Sequence, residues 1–205
     1  MKKPARQFLW ILIANAVLLV IVGVIYVFAL RQDHDGIINP LVEAVVLKGD
    51  MAKMEMFSPR KNLPEIHYLA NLRDNVDMRD LKDQWTLVNL WASWCAPCLT
   101  ELPGLQKLND VYDGQGFRVI AISMDSAQDP LEIEATIVIH RLGKIARNWD
   151  YNGEVFRTIT DGSLPISYII SPGGKVFSRF KGPAKWDSPE ALQFVDSLLA
   201  SSKKK

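Results

Sequence analysis

Cysteine is nearly absent from this sequence: only Cys95 and Cys98 occur in 205 residues. Two cysteines spaced C-x-x-C cannot staple distant parts of a small fold, which excludes a disulfide framework and makes the pair local chemistry. Histidine is almost as scarce. His34, His67 and His140 stand far apart and there is no second C-x-x-C, so the ligand spacing of a structural zinc site is missing. No charge of one sign dominates, with 24 Lys and Arg against 23 Asp and Glu. Setting aside Lys2, Lys3, Arg6, Lys203, Lys204 and Lys205 leaves 18 basic against 23 acidic residues, a body charge of about −5 that argues against a nucleic-acid partner. Repeats and low-complexity blocks are also missing. The length suits one apolar segment plus one globular domain of about 100 to 150 residues.

The long hydrophobic run that does occur, residues 8–30, is interrupted only by Asn15 and Gly23 and has about the length needed to cross a bilayer as a helix. Lys2, Lys3 and Arg6 precede it, whereas Arg31, Asp33, His34 and Asp35 follow, so the charge bias keeps the N-terminus in the cytoplasm. A cleaved signal peptide, with Val27 and Ala29 as a weak cleavage site, fits less well, because signal h-regions run about 7 to 15 residues. The expected organisation is a cytoplasmic N-terminus (1–7), a transmembrane anchor (8–30), a linker (31–62), a globular domain (63–200) and a basic tail (201–205). In a bacterium this is a single-pass inner-membrane protein with its domain in the periplasm. Gly36, Asn39, Pro40, Gly49, Asp50, Ser58 and Pro59 mark the linker, with one short strand expected at 42–47.

Beyond the linker, strand-like and helix-like segments alternate. Strands are expected at 66–69, 85–91, 118–123, 166–170 and 176–180, and helices at 96–113, 130–142 and 188–199. The near-continuous apolar character of 85–91 suits a strand buried on both faces at the centre of the sheet. The order describes an α/β layered domain. In the charged stretch between Asp125 and Ser163, the residues Ile133, Ile137 and Ile139 followed by His140 and Arg141 read as a helix packing on the sheet.

The cysteines fall where the central strand gives way to a helix. That position brings the unpaired N–H groups and dipole of a helix N-terminus to the Cys95 sulfur, which stabilises a thiolate. Cys95 is therefore the expected nucleophile and Cys98, one helical turn on, the resolving thiol. Pro97, read into the second helical turn, rigidifies the loop, and Trp94 is either an apolar shoulder for a docking peptide or a core residue. W-C-x-x-C between a buried strand and a helix is a strong redox signal.

Residues 88–103 (Val-Asn-Leu-Trp-Ala-Ser-Trp-Cys-Ala-Pro-Cys-Leu-Thr-Glu-Leu-Pro) resemble the TlpA/ResA/CcmG (DsbE) group of membrane-anchored thioredoxin-like proteins. The likeness extends over about 63–199 and includes 116–125, similar to the group's strand ending in Asp, and the turn Leu164-Pro165-Ile166-Ser167. It implies a thioredoxin-like fold, a central mixed sheet flanked by helices, preceded by one N-terminal transmembrane helix. It further implies that Pro165 is cis and lies against the disulfide, leaving the neighbouring backbone free to pair with a bound substrate strand. X-Pro is the peptide bond for which the cis form carries a small penalty.

By the same resemblance the chain is a thiol-disulfide oxidoreductase that needs no cofactor and reduces exported protein thiols, with apocytochromes or copper-site cysteines as clients and a membrane electron donor of the DsbD/CcdA type. Two departures stand out. Thioredoxin has a buried Asp six residues before its first cysteine, where this chain has Asn89, which cannot accept a proton. Glu101, three residues after Cys98 on the same helix, is the nearest carboxylate in sequence and the candidate base. The run 160–165 also lacks the Gly-Val-Tyr-Gly-x-Pro-Glu pattern associated with CcmG.

Three other readings compete. The Ala-Pro dipeptide between the cysteines is compatible with an oxidant that forms disulfides. A peroxidase would need Ser or Thr three residues before its cysteine and Pro seven before, where Ala92 and Val88 stand. A Cu(I)-handling module would use the two thiolates as a soft clamp.

Overall fold

The computed structural model describes residues 15–26, 49–126 and 130–202. Residues 15–26 form a helix whose apolar side chains are exposed, and they belong to a compact unit separate from the domain. Among the described residues no helix is long and apolar enough to cross a membrane. The flanks of the expected anchor, the expected strand at 42–47 and most of the basic tail lie outside the described residues.

The domain opens with a 3-10 turn at Gly49–Lys53 and contains strands β1 (Glu55–Asn62), β2 (His67–Ala70), β3 (Asp74–Asp77), β4 (Trp85–Trp91), β5 (Phe117–Ser123), β6 (Asn148–Trp149), β7 (Ile166–Ser171) and β8 (Lys175–Lys181). Its helices are α1 (Ala96–Tyr112), α2 (Pro130–Ile139), α3 (Glu154–Ile159) and α4 (Pro189–Ser202). The strands form one sheet in the order β1-β8-β7-β4-β5-β6-β2-β3. β4, β5 and β6 run parallel and the other pairs antiparallel, so the sheet is mixed.

β4 is central because five of its seven residues are large and apolar, and all seven are buried, Thr86 and Asn89 included. Its side chains alternate between two cores. Trp85, Leu87 and Trp91 join Leu102, Leu105 and Leu108 of α1, Ile133 and Ile137 of α2, and Phe194, Val195 and Leu198 of α4. Val88 and Leu90 point the other way, to Ile66, Tyr68, Met78 and Val155 of α3. Asn89 has the phase of Trp91 and faces α1. That helix buries Cys98, Glu101, Leu102, Leu105, Leu108 and Tyr112, a 3- and 4-residue spacing that puts Glu101 on the same buried stripe as Cys98. Tyr112 ties α1 to α4 by donating to Leu192 O (2.9 Å) and Asp196 Oδ1 (2.8 Å).

The strands expected at 66–69, 85–91, 118–123, 166–170 and 176–180 all occur within a residue at either end, as do three of the helices within about three. The linker boundary does not match. Residues 55–62 are β1, paired antiparallel with β8, and Met51 and Met54 are part of the core. β1 is an edge strand with no fully buried residue and a proline in its middle, which an edge tolerates, so nothing in it alternates. The basic tail is likewise shorter than expected, since α4 continues to Ser202. In α2, Ile133 and Ile137 are buried as expected, but Ile139 is exposed.

Met51 separates a linker from a structural element: it is completely buried although its segment reads as a spacer. Met51→Ala is expected to lower the unfolding free energy of the domain by about 2–5 kcal/mol in chemical denaturation, whereas a truncation within a true linker would leave it unchanged.

Candidate active site

β4 ends at Trp91, and Ala92, Ser93 and Trp94 turn the chain into α1. Cys95 is the N-cap, with extended backbone (φ −93°, ψ 90°) and its N–H bonded to Ala92 O at 3.1 Å. Its carbonyl accepts from Leu99 N at 3.1 Å, which starts the helix. No side chain caps this end, so the sulfur of Cys95 sits at the helix's positive pole without a competing carboxylate in the first turn. Pro97 occupies the first turn, not the second as expected, where its missing N–H has no intrahelical partner to lose.

Cys95 and Cys98 form a disulfide with S–S 2.03 Å and Cα–Cα 5.3 Å. Cys95 retains 6 % exposure and Cys98 none, so an incoming group reaches Cys95 first. Trp94 is 70 % exposed, which removes the core alternative for that side chain.

Two buried carboxyl groups flank this turn. Asp125, two residues past β5, accepts the Ser93 N–H with both oxygens at 3.1 Å, the Ser93 hydroxyl at 2.7 Å and the Ser123 hydroxyl at 2.5 Å. Its carbonyl accepts the Trp149 indole N–H at 2.9 Å. The loop two residues before the nucleophile is thus pinned to the end of β5 by a group that the sequence marked only as the end of a strand.

Glu101 is 4 % exposed. Its Oε1 accepts from Asn89 Nδ2 at 2.7 Å, and its Oε2 accepts the Ala184 N–H at 2.9 Å and the Trp186 indole N–H at 3.1 Å. Asn89 Nδ2 also donates to Ser167 Oγ at 3.0 Å. Burial raises the Glu101 pKa from 4.5 to about 7, against the opposing pull of the hydrogen bonds from Ala184, Asn89 and Trp186. A carboxyl titrating there exchanges protons at neutral pH, as a base serving Cys98 requires. Sequence reading found Glu101 and singled out Asn89 in place of a buried Asp without joining the two, and it missed Ala184 and Trp186 as partners of the carboxyl.

The Leu164–Pro165 bond is cis, as is Ser58–Pro59. The β4–β7 register pairs Leu90 with Ile166, which sets Pro165 level with Trp91, at the end of β4 where the cysteine turn begins. Leu164 packs against the core cluster that holds both cysteines.

The sequence profile of the AhpC/TSA family matches residues 59–179, from β1 to β8. The chain belongs to the AhpC/TSA family. Among its relatives, "Thiol-disulfide oxidoreductase ResA" of Oceanobacillus iheyensis is 30 % identical over 118 residues, 58 % of this chain and 60 % of the relative's length. The ResA of Bacillus cereus is 26 % identical over 146 residues, 71 % of this chain and 83 % of that protein. Among solved structures, a DsbE-type thiol:disulfide interchange protein from Chlorobium tepidum superposes with TM-score 0.59 at 21 % identity, covering 68 % of this chain and 96 % of that one. StoA from Bacillus subtilis gives 0.51 at 19 % identity, covering 63 % and 99 %.

These structures establish the thioredoxin-like fold, and the ResA relatives place this AhpC/TSA chain with the thiol-disulfide oxidoreductases, Cys95 and Cys98 forming its redox pair. Peroxide chemistry finds no support in the turn: Ala92 carries no hydroxyl, and that of Ser93 is committed to Asp125.

Because the folded pKa of Glu101 lies above its unfolded value, the native state prefers the neutral acid, and stability falls as pH rises from about 4.5 to about 7. Glu101→Gln removes that slope. Its stability relative to the unsubstituted protein is expected to rise by about 3 kcal/mol across this interval and stay level above it, in denaturant titrations at a series of pH values.

Proposed function

We propose that this chain is a membrane-anchored protein-disulfide reductase whose domain works outside the cytoplasm on exported proteins. The direction rests on one observation. No Lys, Arg or His occurs between Trp85 and Gln106, so the helix terminus is the only positive pole offered to the Cys95 thiolate by this stretch. Strong oxidants of this fold owe their potential to a stabilised reduced form. Here that stretch adds no side-chain cation to the stabilisation the helix terminus gives the reduced form, and a buried carboxyl on the Cys98 side disfavours a second negative charge, which favours a pair that gives its electrons away. The anchor and its orientation rest on the apolar run 8–30 and the basic residues before it.

In the forward direction the Cys95 thiolate attacks one sulfur of a client disulfide, forming a Cys95–client disulfide and releasing the first client thiolate. Cys98 then passes its proton to Glu101, its thiolate attacks Cys95 Sγ, and the second client sulfur leaves with the electron pair. The product is the Cys95–Cys98 disulfide seen in the structure. Two electrons from a dithiol carrier in the membrane, of the DsbD/CcdA type, reset it. Trp94 offers the exposed apolar contact for the client, and the Leu164-Pro165 turn, level with Trp91, the backbone one. Apocytochromes or copper-site cysteines are the client class this reading favours.

Equilibrating the full-length chain against glutathione or dithiothreitol measures the potential. A value near about −270 mV supports a reductant, and one near about −120 mV makes the chain an oxidant. In cells, Cys98→Ser is expected to accumulate mixed disulfides through Cys95, and the Cys95→Ser variant none; equal yields from both would remove the assigned order of attack.

A further inference from the structure

Asn89 is completely buried in β4, and its Oδ1 has no hydrogen-bond partner among the described residues. A leucine would fill the strand without that loss. What an amide alone adds at one shape is interchangeability: a half-turn about its last torsion swaps donor for acceptor.

The partners of Glu101 decide where a proton can go. Oε2 is held by a backbone N–H and an indole N–H, both donors only, so it remains an acceptor in either protonation state. The proton therefore belongs on Oε1, the oxygen that faces Asn89 at 2.7 Å. A carboxylate Oε1 needs a donor there; a carboxylic Oε1–H needs an acceptor.

We propose that Asn89 is the positioning residue of the proton-transfer step: it holds Glu101 by donation while the carboxyl is a base and, turned over, by acceptance while it is an acid. Ser167 reverses with it, its hydroxyl accepting from Nδ2 in the first state and donating to Oδ1 in the second. An aspartate at this position would serve a second carboxyl beside it only by sharing one proton with it, which couples the two titrations. The step starts with Cys98 as a thiol and Glu101 as a carboxylate. The proton moves from Cys98 Sγ to Glu101 Oε1, the thiolate pair forms the bond to Cys95 Sγ, and the client sulfur takes the electrons of the bond that breaks. The proton later leaves to water. This rests on the reading of Glu101 as the acceptor of the Cys98 proton.

Other groups face the same carboxyl. A cavity of about 440 Å³ reaches Glu101 between α1 and the segment before α4, and Asp50, Lys107, Lys185 and Asp187 line it. Lys107 and Asp187 pair at 2.9 Å, and that bond holds Asp187 below the usual carboxylate range. Asn89, itself bonded to Ser167, faces Glu101 from the sheet, and Cys98 lies one turn back on its own helix. Burial, first, raises the Glu101 pKa, and the bonds from Ala184, Asn89 and Trp186 lower it.

The test uses the full-length chain with Cys95 loaded as its glutathione mixed disulfide. The rate at which Cys98 expels glutathione is followed from pH 5 to 9, and the Glu101 carboxyl is titrated by carbon NMR in the oxidised protein. Asn89→Leu is expected to move both midpoints up by about one unit or more, slowing expulsion about tenfold at pH 6. Asn89→Asp, isosteric and expected to fold, replaces the single titration by two separated steps, since adjacent carboxyls share a proton. A structural role would lower the melting temperature and leave both midpoints in place. Folded Asn89→Leu or Asn89→Asp protein with unshifted, single midpoints overturns the proposal while leaving Glu101 as base. A Glu101→Gln profile identical to the unsubstituted one overturns the base itself, and Asn89 with it.

Discussion

The burial of one carboxyl group, that of Glu101, is the constraint around which the domain is arranged. Taking a charge out of water is costly, and it is tolerated where donors replace the lost solvent. Those three donors come from two places that only the finished fold brings together: Asn89 in the central strand, and Ala184 and Trp186 in the segment leading into α4. The group is consequently neither wholly solvated nor wholly neutralised. Its pKa of about 7 is the balance between burial, which raises it, and three hydrogen bonds, which lower it. A stronger set of donors would make Glu101 too weak a base, and a drier site would keep it protonated.

The cysteine turn is held between this group and a second carboxyl of different use. Asp125 is bonded to the backbone and hydroxyl of Ser93 and to the Ser123 hydroxyl, so it fixes position. Glu101 lies beyond the turn on the buried face of α1 and is placed to exchange a proton. One carboxyl keeps the nucleophile's approach constant and the other changes state beneath it, an arrangement suited to a reaction whose intermediate covers the front of the site.

What could be read beforehand followed the strength of the local pattern. β4 and the first half of α1 announce themselves because seven buried residues and then a W-C-x-x-C turn leave few alternatives. Pro165 was identified through resemblance. β1 escaped because an edge strand exposes both faces and β1 carries a proline; β3, four residues with none fully buried, gives no period at all. The two-residue β6 and the one-and-a-half turns of α3 are too short for any pattern to form. Glu101 was visible by its spacing from Cys98, but its environment was not, since Ala184 and Trp186 are more than 80 residues away in the chain. A buried base is a property of the fold, and sequence adjacency names only its owner.

The two outer strands have a consequence beyond the domain itself. β1 contains Pro59, Arg60 and Lys61, its register with β8 is broken between Met56 and Lys61, and β3 at the far side is short and begins and ends with aspartate. Rows of unpaired backbone groups on a sheet are templates for growth by further copies. Here each template is cut short, kinked or charged. The sheet is thereby guarded against fibre-like growth at its outer strands by the segments that, in sequence, look least structured.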